Sequence, residues 1–232
     1  MVAIAKPAGL LVHRTRLAPG AGRFAIQRLR EQLARRVYPA HRLDRATSGV
    51  LLFALSPDVH ARLSQAFAAG EVEKRYVAIV RGWPPEELVI DHPLGRLEAP
   101  APVAAESLRP ARTILRRLAT AELPVRVDRY PTSRYALVEL RPASGRRHQL
   151  RRHLKHANYP IIGDTTYGQG RHNRLFRERF GASRLLLAAV SLRLAHPMTG
   201  AALAIEAPPG ADFLAVATAV GWPEAAALVL GP

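Results

Sequence analysis

The chain contains no cysteine. That excludes disulfides, thiolate nucleophiles and cysteine-ligated zinc or iron–sulfur centres. Lysine is almost absent as well: only Lys6, Lys74 and Lys155 occur among the 34 basic residues, so arginine carries the positive charge. No apolar run approaches the length of a membrane span, and Lys6, Pro7 and Gly9 break up the first apolar stretch, unlike a secretory signal. These absences predict a soluble, cytoplasmic protein with no membrane partner. There is no internal repeat and no low-complexity linker to divide the 232 residues. The expectation is one domain spanning 1–232, long enough to bury a sizeable core.

What remains is a strongly basic chain. Lysine plus arginine number 34 against 18 acids, a net charge of +16 whose field favours polyanions. Arginine suits phosphate because its planar fork donates two parallel hydrogen bonds. A GC-rich genome produces the same skew, so the charge supports an RNA partner only when motifs point the same way.

Along the chain, Val2–Val12 reads as a strand, a Pro-Gly turn and a second short strand. Gly22–Arg36 places Phe24, Ile26, Leu29 and Leu33 at helical spacing, with arginines on a solvated face. Ser56-Pro57 opens a helix as N-cap and first position, and Gly70 closes it. Strands are expected at Tyr76–Val80 and Arg134–Leu140, and a basic helix at Arg147–His156. Pro84–Pro110, rich in Pro and Ala, reads as a surface excursion. Ser183–Ala195 and Ala202–Ala207 flank Met198-Thr199-Gly200 as a hairpin, and Ala211–Val220 reads as a closing helix. Strands and helices mixed without βαβ regularity predict an α+β fold with a mostly antiparallel sheet.

The densest chemistry lies in His41–Gly49, reading HRLDRATSG. Asp44 stands between Arg42 and Arg45, and the apolar run Val50–Leu55 follows at once, so a loop feeds a buried strand. Burial beside cations would keep such a carboxylate ionised and aim it as a nucleophile, although an isolated Asp more often caps a turn or pairs with arginine. The whole string closely resembles the catalytic signature of the RluA-type pseudouridine synthases. Glu73–Trp83, EKRYVAIVRGW, resembles that family's second motif; SGRRHQLRRHL (Ser144–Leu154) with YPIIGD (Tyr159–Asp164) resembles its third. Arg184–Leu187 and His196-Pro197 resemble its closing hairpin, so the motifs run in order over roughly residues 2–210. The doublet in RRHLKH and the phrase RYPTSRYALVELRP (Arg129–Pro142) resemble members that modify tRNA.

The resemblance implies a mixed, mostly antiparallel central sheet flanked by helices, with a catalytic cleft. Some members carry an N-terminal S4 RNA-binding domain; the motif KPAGLLVH falls within the first dozen residues here, so none is expected. It implies catalytic roles for Asp44, for Tyr76 as the side chain packed on the target uracil, and for Arg151 as the partner of the Asp. Arg42, Arg45, Thr47, Arg146, His148, Gln149 and Leu187 are expected to bind substrate. Two departures stand out: Ala5 replaces an Asn before Lys-Pro, and Leu187-Ala188-Ala189 replaces Leu-His-Ala. The second puts local packing and substrate selection in question.

Making pseudouridine breaks the ribose bond to N1 of uracil, turns the base and rejoins it through C5. The base stays bound throughout, and neither a metal nor a redox cofactor is needed. A single carboxylate serves by attacking the sugar, as in retaining glycosidases, by adding to the base, or by removing a proton. In each case the uridine must be flipped from its stack. His148, His153 and His156 share one stretch, but no HExxH-like pattern accompanies them, so no metal site is expected.

The expected activity is isomerisation of a uridine in tRNA, in the T stem, by a monomer without cofactor. The alternatives are a ribosomal RNA target and a basic RNA-binding module that has lost catalysis; DNA is not expected as a partner. Pro84–Pro110 and Gly168–Gly181, with Arg171, His172, Asn173, Arg174, Arg177 and Arg179, are further candidate RNA-contacting surfaces.

Overall fold

The structure, a computed structural model, describes residues 1–13, 24–95 and 107–230. Its frame is one sheet. In chain order the strands are β1 (Val2–Lys6), β2 (Tyr38–Pro39), β3 (Ser48–Ala54), β4 (Glu73–Arg81) and β5 (Glu87–Asp91). They continue with β6 (Arg112–Leu123), β7 (Ser133–Pro142), β8 (Leu187–Ala195) and β9 (Ala202–Glu206). The order across the sheet is β1-β3-β8-β4-β7-β6-β5, with β2 beside β3 and β9 beside β8. Every pairing is antiparallel except β3 with β8, where Ser48 faces Ala188 and Gly49 faces Ala189. The expected α+β fold with a mixed, mostly antiparallel sheet is what the chain adopts.

The helices α1 (Ala25–Leu33), α2 (Pro57–Ala69), α3 (Gln149–His156), α4 (Gly170–Phe180), α5 (Ala211–Val220) and α6 (Ala225–Leu230) cover both faces. Strand β3 is buried along its whole length, which is why VLLFA is a continuous apolar run rather than an alternating one. Its Val50 and Leu52 pack with Leu63 of α2; Leu51 and Phe53 pack with Leu29 of α1. Alternate residues of β4 do the same further along: Ala78 and Val80 meet Leu150 and Leu154 of α3, while Val77 and Ile79 meet Phe176 of α4 and Phe213 of α5. α2 is capped as its sequence predicts, with the Ser56 Oγ accepting from the Val59 N–H and Gly70 left-handed at φ +79°.

Four expectations need correction. Only β1 forms in Val2–Val12; Leu10–Val12 leaves the sheet, and its Val12 packs under α1. Within Pro84–Pro110 the excursion includes a strand, β5, paired with β6, and an antiparallel bridge between Leu94 and Arg109; 96–106 lie outside the described residues. The Gly22–Arg36 helix is observed from Ala25, its first positions likewise lying outside the described residues. Gly168–Gly181, expected to present all its polar residues as a contact surface, is largely a helix that buries His172 and Asn173 and exposes Arg171, Arg174, Arg177 and Arg179.

Candidate active site

The one parallel pairing among the described residues builds the site. Segment 184–189, leading into β8, is threaded between two glycines with positive φ. A Cβ on Gly163 (φ +79°) would lie 1.9 Å from the Arg184 carbonyl oxygen, and one on Gly49 (φ +110°) 1.9 Å from that of Ala189. No side chain fits at either position. This approach brings Leu187 beside the loop that precedes β3, where Asp44 sits. Tyr76, on neighbouring β4, pairs across to Leu140 of β7 and Ala189 of β8.

A cleft of about 140 Å³ opens there, of a size for one flat ring rather than a whole nucleotide. It is lined by Asp44, Tyr76, Arg151 and Leu187, and also by Arg42, Thr47, Arg146, His148 and Gln149. The sequence-derived set thus converges, with one absentee. Arg45 turns away and its Nε donates to the Gly9 carbonyl at 3.1 Å. Gln149 lines the cleft but is fully engaged by the protein. Its Oε1 accepts from Ser144 Oγ and the Arg146 N–H, and its Nε2 donates to the Arg112 carbonyl and Thr113 Oγ1. It shapes the 144–146 turn rather than offering a free amide.

Asp44 has a side chain 19 % exposed, with two basic groups approaching its carboxylate: His148 Nε2 at 3.9 Å and Arg151 Nη1 at 4.0 Å. Burial, more than its charged neighbours, pulls the His148 pKa down, so the ring is neutral at pH 7. Arg151 is therefore the fixed cation beside Asp44. Burial first and Asp44 second push the Tyr76 phenol up, which keeps it protonated and fit to pack against a base.

The expected pairing of Arg151 with Asp44 is only that 4.0 Å approach. The tight partner is Asp164, which accepts from Arg151 Nε at 2.7 Å and Nη2 at 2.8 Å, and also from the Thr166 and Tyr167 N–H groups at 2.9 Å. Tyr167 completes the brace: its ring lies 5.0 Å from the Arg151 guanidinium carbon, and its hydroxyl meets His148 Nδ1 at 3.1 Å. His148 itself is left-handed, φ +55°, a conformation that costs on the order of 1–3 kcal/mol and persists where surroundings enforce it. Sequence reasoning assigned no role to Asp164 or Tyr167. A usable signal was present: a buried arginine requires a carboxylate, and YPIIGD offers one.

The other two histidines of the stretch 148–156 have internal partners. His153 meets Thr113 Oγ1 and the His92 carbonyl, and His156 stacks on His92 with ring centroids 3.7 Å apart. Among the described residues no three His, Cys, Asp or Glu side chains are grouped to hold a metal ion. No helix among them is long and apolar enough to cross a membrane.

Comparison with known proteins gives a consistent result. The sequence profile of the RNA pseudouridylate synthase family matches residues 1–156. The tRNA pseudouridine synthase C of Vibrio cholerae is 47 % identical over 228 residues, 97 % of this chain and 93 % of that protein. Its namesake in Vibrio vulnificus is 49 % identical over 210 residues, covering 89 % and 86 %. Among solved structures, human RNA pseudouridylate synthase domain containing 4 superposes with a TM-score of 0.70 at 26 % identity, over 94 % of this chain and 88 % of that one. Human RNA pseudouridylate synthase domain containing 1 gives 0.69 at 25 % identity, over 89 % and 78 %.

Proposed function

We propose, from the premise that this chain belongs to the RNA pseudouridylate synthase family and is an RNA pseudouridine synthase, that its substrate is tRNA and its target a uridine of the T stem. Relatives nearly half identical over almost the whole chain bear the name tRNA pseudouridine synthase C, which supports tRNA. RRHLKH and RYPTSRYALVELRP, which resemble tRNA-modifying members, support the finer target.

The observation that carries the mechanism is the isolation of the Asp44 carboxylate in the cleft, facing Tyr76 and Leu187, with Arg151 4.0 Å away. The flipped uracil lies between Tyr76 and Leu187, which hold it while its bond to ribose is open. Asp44 acts on the nucleotide at C1′ of the sugar or on the base. The bond from C1′ to N1 breaks, a bond from C1′ to C5 forms, the C5 proton leaves and N1 gains one, so nothing is oxidised or reduced. Arg151, fixed by Asp164, orients the carboxylate and stabilises its charge without forming a tight pair that would blunt its reactivity. Arg42 and Arg146 at the rim take the flanking phosphates. All these side chains come from one chain, from strands, loops and a helix around one sheet, which supports a single catalytic unit working as a monomer. Its place of work is the cytoplasm.

The test is a map of pseudouridine in total RNA from a deletion strain, by carbodiimide-blocked primer extension. One T-stem site in tRNA should vanish. Intact tRNA with a missing ribosomal site would overturn the substrate and leave the enzyme class standing.

A further inference from the structure

A second pocket, of about 430 Å³, lies at the far end of β4 and β7 from the cleft. Tyr76 pairs with Leu140 at the catalytic end and Arg81 with Tyr135 at this one, five residue steps or about 17 Å along the strand. The pocket is lined by Arg81, Asp128, Tyr130, Pro131, Arg134 and His172 among others. None of them takes part in the chemistry described above.

The loop between β6 and β7 forms one wall, and it is fastened at several points. The Asp128 carboxylate accepts from Arg81 Nη2 at 3.1 Å and meets His172 Nε2 at 3.0 Å. His172 is buried and its Nδ1 meets the Tyr135 hydroxyl at 2.7 Å, so the loop is tied to β4, β7 and α4 together. Ser133 Oγ closes the base of the loop on the Val125 carbonyl. On this anchored loop stands Tyr130, 57 % exposed. Arg129 lies 4.7 Å from that ring centroid and donates to its hydroxyl at 2.6 Å. Arg134 brings a second flat surface, its guanidinium 4.4 Å from the centre of the Trp83 ring. Arg126, Arg129 and Arg171 are exposed around it.

An exposed aromatic ring normally loses freedom when it binds. Here the loop holds it in place beforehand, beside a planar cation and with further cations nearby for phosphates. That is the chemistry of a stacking platform for an unpaired nucleotide. We infer that this pocket is a second nucleobase-binding site, taking an unpaired base of the same RNA molecule whose uridine occupies the cleft. The site rests on the tRNA reading for the identity of that RNA, and it sets affinity and substrate choice rather than chemistry. A span of about 17 Å along the strands is short beside a folded RNA with stacked helical arms.

The experiment has two arms, each comparing wild type, Tyr130→Ala and Tyr130→Phe. The first measures binding of labelled hexaadenylate, an unpaired oligonucleotide, by fluorescence anisotropy. Tyr130→Ala should weaken it about tenfold, within the range of one lost base stack, while Tyr130→Phe, which keeps the ring, should bind as wild type does. The second measures turnover of a full-length tRNA transcript and of its isolated target hairpin. Tyr130→Ala should raise KM for the full-length transcript with kcat unchanged, and should match wild type on the hairpin. An unchanged hexaadenylate affinity overturns the inference. So does an unchanged KM on a full-length transcript that wild type converts. Should wild type convert no tRNA, the tRNA reading fails, and the hexaadenylate arm still decides whether the pocket binds bases.

Discussion

Two aspartates face the same guanidinium from opposite sides. Asp164 is 1 % exposed and accepts four hydrogen bonds, two from Arg151 and two from backbone N–H groups. Asp44 is partly open to the cleft, and among the described residues no hydrogen bond reaches its carboxylate; its nearest cation stands 4.0 Å away. Residue type and neighbour are the same, but the consequence differs. A carboxylate held by four hydrogen bonds is a strut, and one left without them beside a fixed cation is free to react. By satisfying one carboxylate, the fold leaves the other available.

The largest effect should come from Asp44→Asn. Single-turnover tritium release from labelled uridine should fall by at least about a thousandfold, roughly 4 kcal/mol of barrier. Filter binding and the melting curve should stay near wild type. A drop in stability equal to the loss in rate would erase the distinction between the two residues.

Asp164→Asn should do the reverse first. Removing one partner of a buried ion pair costs roughly 3 kcal/mol, and in a chain of this size that is a fall of about 6–12 °C in melting temperature. Turnover should fall too, since Arg151 loses its anchor, but RNA modified at saturating enzyme should stay detectable. Calorimetry showing an unshifted transition would refute the strut.

Acid unfolding sharpens the same contrast with smaller changes. Burial opposes the Asp164 charge, but Arg151 and the backbone N–H groups overcome it and hold the carboxyl below its ordinary value. Its contribution is present above about pH 4 and is lost as pH falls through that lowered value. His41, at the head of the loop that carries Asp44, is pushed down to about 4 by burial and then by Lys74. The unfolded chain takes up this proton first, so stability is complete above about pH 6.5 and declines as pH falls from there toward 4. In urea titrations across pH, His41→Gln should flatten only the upper window and Asp164→Asn only the lower. One limb responding to both would show that the two groups do not titrate as assigned.

The smallest effect concerns the arginines. Arg146 is on the cleft rim and Arg45 is turned to Gly9. Arg146→Ala should weaken RNA binding severalfold and lower the salt slope by about one. Arg45→Ala should leave the slope unchanged. Equal slopes would mean that proximity to the cleft does not select phosphate contacts.

Local signals carried much of this into the sequence. The cap at Ser56, the run Val50–Ala54 and the helix Ala211–Val220 are set by near neighbours, and each forms where its residues suggest. Strand β6 was hidden because a bulge between Arg117 and Ala119 shifts its alternation out of phase midway. Helix α4 was hidden because its arginines outnumber the residues it buries, Phe176 chief among them. At the site, the motifs delivered the residues of the cleft, but not the division of labour within it. Asp164 and Tyr167 matter through contacts made only after folding, and Gln149 proves to be scaffold because all its hydrogen-bonding groups find partners inside the protein.

The parallel seam between β3 and β8 has a consequence for the order of events in the life of the chain. Ser48 Oγ meets the carbonyl of Leu187, a residue 139 positions further on. Contacts between such distant segments close late, because the intervening loop must lose its entropy first. During synthesis Asp44 leaves the ribosome well before β8, the wall that completes its pocket. A nascent chain therefore exposes its basic residues long before it has any place to put a base, and that place is made only once β8 has joined β3.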